Sequence, residues 1–278
     1  MAALTFWYGC NVVRHADIIH AAIALLEAVG VEVRPAGGPA YCCGTTKDAN
    51  LRAAEGMATR TVEKFNALGN DVVTWCPSCH RHMGDFVEHY TQPRFEVSHI
   101  TEVLYRHRDR LAAKLVHPVA RTVMLHRHLG FREVEVNRLV AELLRLVPGL
   151  TVLESTVEVP AHMCSELARL PAVLSDVMAR SVAEARAAGA EDLVTVFHSC
   201  QRLWCGLSAE APLGVVNYAS LLARSMGVAQ PDEYAQWKLA ASDAEAVAMI
   251  GAQRIDRVGA DVFRAEVLPE IRRRPPRR

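Results

Sequence analysis

The sequence predicts an α/β protein of two tandem, pseudo-symmetric units, each a small parallel sheet flanked by helices, with a C-terminal helical segment after them. Three observations predict it. The chain repeats itself at an offset of 121 residues, β-rich runs alternate with helical faces, and the pattern changes near Ala229. Under the repeat, Pro39-Ala40 returns as Pro160-Ala161, Cys43 as Cys164, and Met57-Ala58 as Met178-Ala179. Glu63 returns as Glu184, Asp71 as Asp192, Val73-Thr74 as Val194-Thr195, Ser78-Cys79 as Ser199-Cys200, and Arg81 as Arg202. So many matches at one offset indicate two copies of one unit. The expected domains are 1–117, 118–228 and a helical extension over 229–278.

In the first unit, Leu4–Tyr8 is a short β-rich run. Ala16 to Val29 places Ile18, Ile19, Ala22, Ile23, Leu26 and Val29 on one helical face, and Gly30 stops it. Val31-Glu32-Val33 alternates as a strand, and Pro35 to Pro39 reads as the loop that delivers Cys42 and Cys43. Leu51 to Leu68 is a second helix closed by Gly69, followed by the strand Asp71–Trp75 and a helix from His80 to His89. Strand–helix alternation at this spacing implies a parallel sheet with crossover helices. In the extension, Asp232–Ala241, Asp243–Val258 and Ala260–Ile271 read as helices. The end, Arg272 to Arg278, holds five arginines around two prolines and reads as a solvated tail.

At 278 residues and 51% hydrophobic, the chain can bury a full core. Its 31 basic and 31 acidic residues balance, so no global field draws it to nucleic acid or membrane. No apolar run approaches the ~20 residues of a transmembrane helix. Met1 to Tyr8 lacks a basic n-region and reads as a first strand rather than a signal peptide. A cytoplasmic protein is expected, whose reduced cysteines serve as metal ligands or redox groups more readily than as bridges.

Five of the eight cysteines fall in the first third, as C-x31-C-C-x32-C-x2-C, from Cys10 through Cys42-Cys43-Gly44 to Cys76 and Cys79. Adjacent cysteines do not easily pair with each other, so evenly spaced further thiols point to a shared inorganic target. Cys76 and Cys79 sit at a strand-to-helix turn, where backbone N–H groups and the helix dipole favour thiolates. Four thiolates suffice for zinc or a cubane cluster, so the fifth is idle or bridges two metal ions. The ferredoxin C-x2-C-x2-C-x3-C-P run and the G-x-G-x-x-G fingerprint are both missing. Trp75-Cys76-Pro77-Ser78-Cys79 is placed like a thioredoxin-type motif, but three extra cysteines argue against that reading.

This pattern resembles the CCG domain found in the cysteine-rich subunit of heterodisulfide reductase and in its relatives. Among these are subunits of bacterial sulfur-oxidising heterodisulfide-reductase-like complexes, and cysteine-rich subunits linked to glycerol-phosphate, lactate and succinate oxidation. The resemblance extends over the whole chain, since such proteins carry two CCG units followed by helices. It implies a noncubane [4Fe-4S] cluster held by Cys10, Cys42, Cys43, Cys76 and Cys79. It further implies disulfide, thiol or sulfur-carrier redox chemistry, with a ferredoxin-like [4Fe-4S] subunit and a flavoprotein subunit as partners. A second CCG protein is a further expected partner. A zinc-binding or structural bridging subunit is the alternative, as is a quinone-side electron-transfer subunit of a membrane-associated dehydrogenase.

The second copy departs from the pattern. Cys42 maps to Met163, Cys43 to Cys164, Cys76 to Phe197 and Cys79 to Cys200, while the Cys10 position falls near His128. Five thiolates cannot assemble there, which removes the second cluster that two-cluster disulfide cleavage needs. Replacement ligands lie nearby: His126, His128, His162, His198 and Cys205 accompany Cys164 and Cys200. Mixed His/Cys ligation by Cys164, Cys200, His162, His198 and His128 would suit zinc or an altered iron–sulfur cluster. A decayed site with its thiols packed as small hydrophobes is the plainer reading, and a redox pair of Cys164 with Cys200 a third. His80 and His82 are expected on the helix surface beside the first cysteines, with Trp7 and Tyr8 as a shield.

Overall fold

The computed structural model describes residues 3–10, 12–45, 50–85, 91–130, 134–209 and 211–273. The first unit comprises β1 (Leu4–Gly9), α1 (Ala16–Ala28), β2 (Val33–Gly37), α2 (Leu51–Leu68), β3 (Val72–Thr74), α3 (Pro77–Asp85), β4 (Val97–His99), α4 (Ile100–Arg106) and α5 (Arg108–Ala112). The second comprises β5 (Arg121–His128), α6 (Val136–Leu144), β6 (Leu150–Val159), α7 (Pro171–Ala187), β7 (Asp192–Thr195), α8 (His198–Trp204), β8 (Gly214–Asn217) and α9 (Tyr218–Ser225). Each unit folds a four-stranded sheet, in the orders β2-β1-β3-β4 and β6-β5-β7-β8, with all adjacent pairs parallel. The α/β class and the doubled architecture are therefore those the sequence predicts.

Differences from the expected elements have local causes. β2 runs through Pro35 to Gly37 instead of ending at Val33, and it lies at a sheet edge. An edge strand tolerates the missing N–H of proline. The helix expected from His80 starts earlier, at Pro77, because proline's fixed φ suits a first helical turn. Residues 86–89 of that expected helix lie outside the described residues. Asp243–Val258 is two helices, α11 (Asp243–Ile250) and α12 (Ala252–Val258), after α10 (Glu233–Leu239). Gly251, at φ +83°, breaks the run. Between Ala260 and Arg272 the helix widens to a π turn over Phe263–Val267, just before Pro269, which has no N–H to continue the ladder.

The two sheets share one apolar core. Phe6, Ile18, Leu25, Trp75 and Ile100 of the first unit pack in the same cluster as Leu125, Val140, Leu193, Phe197 and Leu222 of the second. Trp75 is fully buried at this seam, stacked 6.4 Å from Tyr218 and 5.6 Å from the His198 ring. The extension closes a smaller cluster around Cys205, Tyr234, Ile250 and Phe263. Arg272 is not part of a free tail: its Nη1 donates to the Trp237, Lys238 and Ala240 carbonyls at the end of α10. A cation satisfies orphan carbonyls there and complements the helix dipole. Residues 274–278 lie outside the described residues. None of the helices among those described is long and apolar enough to cross a membrane.

Asp17 marks the junction of both units with the extension. It is buried in the first turn of α1, where Ser220 Oγ donates to it at 2.8 Å. Burial first, and then the neighbouring Asp232 carboxylate, hold its pKa up at about 6, against the opposing pull of His15 and Ser220. A raised carboxylate binds its proton more tightly folded than unfolded, so its contribution to stability falls as pH rises from about 4 to about 6. Asp17→Asn abolishes that titration. Relative to wild type, the variant is expected to gain on the order of 2–3 kcal/mol between pH 4 and pH 7, as read by denaturant unfolding at each pH.

Candidate metal centres

All five cysteines of the first unit converge where β1 and β3 end, at the carboxyl edge where parallel sheets present functional groups. Cys10 Sγ lies 3.7 Å from Cys42 Sγ. Cys42 lies within reach of Cys43, Cys43 of Cys79 and Cys79 of Cys76, so the thiols interact as one continuous chain. Cys42, Cys43, Cys76 and Cys79 are buried, and Cys10 is partly exposed. Thr61 Oγ1 donates to the Cys42 carbonyl at 2.8 Å, which pins the loop from α2. Thr45 Oγ1, 3.1 Å from Cys43 Sγ, donates to the Ser78 carbonyl and ties that loop to α3.

Two glycines make room for this group. At Gly9, φ is +83° and a Cβ would stand 2.8 Å from Cys76 Cβ and 3.5 Å from Cys79 Sγ. At Gly44, φ is +90° and a Cβ would overlap the Ala54 carbonyl. The glycine after the cysteine pair is thus a backbone requirement of the loop. Its counterpart Ser165 cannot be left-handed, since among the described residues only glycines have positive φ. Correspondingly, Cys164–Arg169 winds into a 3-10 turn.

The thiols do not ionise independently. Cys76 is held down by its hydrogen bond with Cys79, helped by the Cys79 and Ser78 N–H groups at the start of α3 against the effect of burial. Burial, then Cys43 and Cys76, push Cys79 well up. The hydrogen bond with Cys42 raises Cys43 to about 12. Cys10 rises through its bond to Cys42, then burial, then the neighbouring thiolates. One thiolate is favourable here and five are mutually repulsive, unless metal cations are bound among them.

In the second unit the structure gathers His126, His128, Cys164 and Cys200, all buried, with ligand atoms within 4.8 Å of one another. His126 Nε2 is 3.1 Å from Cys164 Sγ, and His128 Nε2 is 2.9 Å from Cys200 Sγ. Trp204 Nε1 donates to Cys164 Sγ at 3.2 Å, and the Cys164 N–H to Cys200 Sγ at 3.4 Å. Burial raises Cys164; in Cys200 the bond from Cys164 and the His128 ring overcome burial and hold the thiol well down. Burial, reinforced by His128, pushes His126 well down, so its ring is neutral.

The expected ligands His162 and His198 stand outside this group. His162 Nδ1 donates to the Gly130 carbonyl at 2.6 Å. His198 is the first residue of α8 and turns towards Trp75. His126 takes its place in the group because residues two apart on a strand share a face, a signal present in the spacing of His126 and His128. Trp204 had no sequence signal. Cys205 is buried in the extension cluster, its Sγ directed to the Arg202 carbonyl rather than to Cys200.

His82 is buried instead of lying on the helix surface, and the His80 ring packs edge-on against His99. Trp7 is fully buried; its Nε1 donates to the Tyr41 carbonyl at 3.0 Å and its ring packs on Phe65. The two cysteine turns meet across the seam, with Ser78 Oγ 3.4 Å from Met163 Sδ and Arg81 Nη1 3.7 Å from Glu166 Oε1.

The family model described as the CCG cysteine-rich domain matches residues 4–84. No curated protein matches the chain. Among solved structures, an aspartate racemase homologue from Pyrococcus horikoshii OT3 shares 11% identity at a TM-score of 0.36, covering 81% of this chain and 97% of its own. A cysteine-to-serine mutant of Nocardia farcinica maleate cis-trans isomerase with a covalently bound succinylcysteine intermediate shares 15% identity at a TM-score of 0.31, covering 81% of this chain and 93% of its own. Residues 4–84, with all five clustered thiols, thus form a cysteine-rich domain of the CCG family.

Proposed function

We propose that the chain is the iron–sulfur subunit of a multi-subunit redox complex, similar to the cysteine-rich CCG subunit of heterodisulfide reductase. In this reading Cys10, Cys42, Cys43, Cys76 and Cys79 hold a noncubane [4Fe-4S] cluster. The observation that carries it is the convergence of five thiols at one sheet edge, four buried and one partly exposed. The donor set fits: these five thiols would hold the cluster, one more than the four that a cubane takes. Gly9, where a Cβ would crowd Cys76, lets the end of β1 come close to the Cys76 and Cys79 thiols.

When bound, such a cluster supplies one-electron steps and an iron that a substrate sulfur can reach. The chain's own residues define that access. Cys10, at the partly exposed end of the thiol chain, gives a disulfide, thiol or sulfur-carrier substrate its approach. Trp7 and Phe65 share a buried apolar cluster with Cys43, Cys76 and Cys79, and Tyr41 packs against it. Backbone N–H groups at the start of α3 stabilise sulfur charge at Cys76. The sequence has neither a ferredoxin run nor a dinucleotide fingerprint, so a ferredoxin-like subunit and a flavoprotein subunit would carry electrons to or from it. With five thiols in one unit only, a second CCG protein or the partner surface would supply any second half-site.

Anaerobic purification with metal analysis tests this. About four iron and four labile sulfide per chain are expected. Zinc without sulfide at the first unit would contradict the reading and favour the structural bridging alternative.

A further inference from the structure

We infer that His126, His128, Cys164 and Cys200 form a closed tetrahedral site for a single zinc-type divalent cation, and not a second iron–sulfur centre. The donors come from three places: two rings from β5, one thiol from the turn before α7 and one from α8. Two imidazoles and two thiolates are a donor set that suits zinc, and a tetrahedron with zinc's bond lengths has edges of about 3.3–3.8 Å. The His128–Cys164 separation of 3.7 Å is of that size, and the His126–Cys164 and His128–Cys200 separations, 3.1 and 2.9 Å, lie a few tenths of an ångström below it.

The surroundings are built for thiolates. Each sulfur accepts one N–H, from the Trp204 indole and from the Cys164 backbone. Buried sulfur anions need such donors together with a cation. Both rings turn Nε2 to sulfur, while their Nδ1 atoms have no partner among the described residues.

Strand register explains why a cluster does not fit. Thr5 and Phe6 pair with Val72 and Val73, as Met124 and Leu125 pair with Leu193 and Val194. Counting on, Trp7 corresponds to His126, Gly9 to His128, and Cys10 to the exposed Leu129. His128 therefore does not replace Cys10. It sets a ring at the position of Gly9, where in the first unit any Cβ would crowd Cys76 Cβ at 2.8 Å. The second unit carries a ligand where the first has a glycine pressed against its thiols, and all four donors are fully buried, so no position stays open for substrate. Closed four-donor sites are structural.

The test uses the full chain carrying Cys42→Ser and Cys43→Ser, which disables the first thiol group and separates this inference from the proposed function. About one zinc per chain is expected, with two nitrogen and two sulfur neighbours in X-ray absorption. Cobalt exchange should give tetrahedral visible bands and a thiolate charge-transfer band. Adding Cys200→Ser or His126→Ala should lower zinc affinity at least tenfold, whereas His162→Ala and His198→Ala should leave it unchanged. Should a ligand variant fail to fold, the cobalt spectrum of the parent decides. Absence of metal, four sulfur neighbours, or iron retained with labile sulfide would overturn the inference.

Discussion

Cys43→Ser is expected to take the iron content from about four per chain to below one, with labile sulfide falling in parallel. Cys43 occupies the middle of the thiol chain, bonded to Cys42 on one side and to Cys79 on the other, with Thr45 as a third contact. Its removal divides the donor set into a Cys10–Cys42 pair and a Cys76–Cys79 pair. The exchange is nearly isosteric, and the loop keeps its anchors through Thr61 and Gly44, so the fold should persist. Cys205→Ser is the matched control: that thiol is equally buried but packs in the extension, and the iron content should not change. Iron, sulfide and circular dichroism measured anaerobically on both variants check this. Full iron retention in Cys43→Ser would mean that the adjacent cysteine pair does not hold the centre.

The second large effect is expected at the seam. Trp75→Ala should destabilise the protein by about 3–5 kcal/mol, the cost of emptying a fully buried aromatic site. That corresponds to a fall in Tm of roughly 10 °C for a chain of this size. Trp75 leaves β3 immediately before Cys76 and lies against Tyr218 and His198 of the second unit. The loss should therefore be shared by both units in one cooperative transition, because Phe6 and Leu125 belong to a single core. Two separated transitions, or a loss below about 1 kcal/mol, would mean that the units pack independently.

Much of this architecture was legible because its signals are local or repeated. The helix Leu51–Leu68 has an Asn50 cap and a Gly69 stop, and the sequence places both ends correctly. The offset of 121 residues exposed the duplication without any reference to shape. What stayed hidden depends on pairing in space. β4 and β8 are too short, at three and four residues, to display a period of two. Pro35 suggested a loop because an edge position cannot be recognised before the sheet order is known.

The sites show the same division. Spacing identified five thiols in the first unit as one group, and the structure places them together. In the second unit, spacing suggested His162 and His198, whose rings are claimed by Gly130 and Trp75 instead. His126 could have been preferred from its alternation with His128. The correspondence of His128 with Gly9 required strand register, because the repeat offset differs by two residues between β1 and β3.

An anaerobic crystal structure with anomalous scattering recorded at the iron and zinc edges tests the central claim most directly. The account predicts a multi-iron peak among Cys10, Cys42, Cys43, Cys76 and Cys79, and a lone zinc peak among His126, His128, Cys164 and Cys200. Zinc alone at the first position, or no anomalous scatterer there, would contradict it.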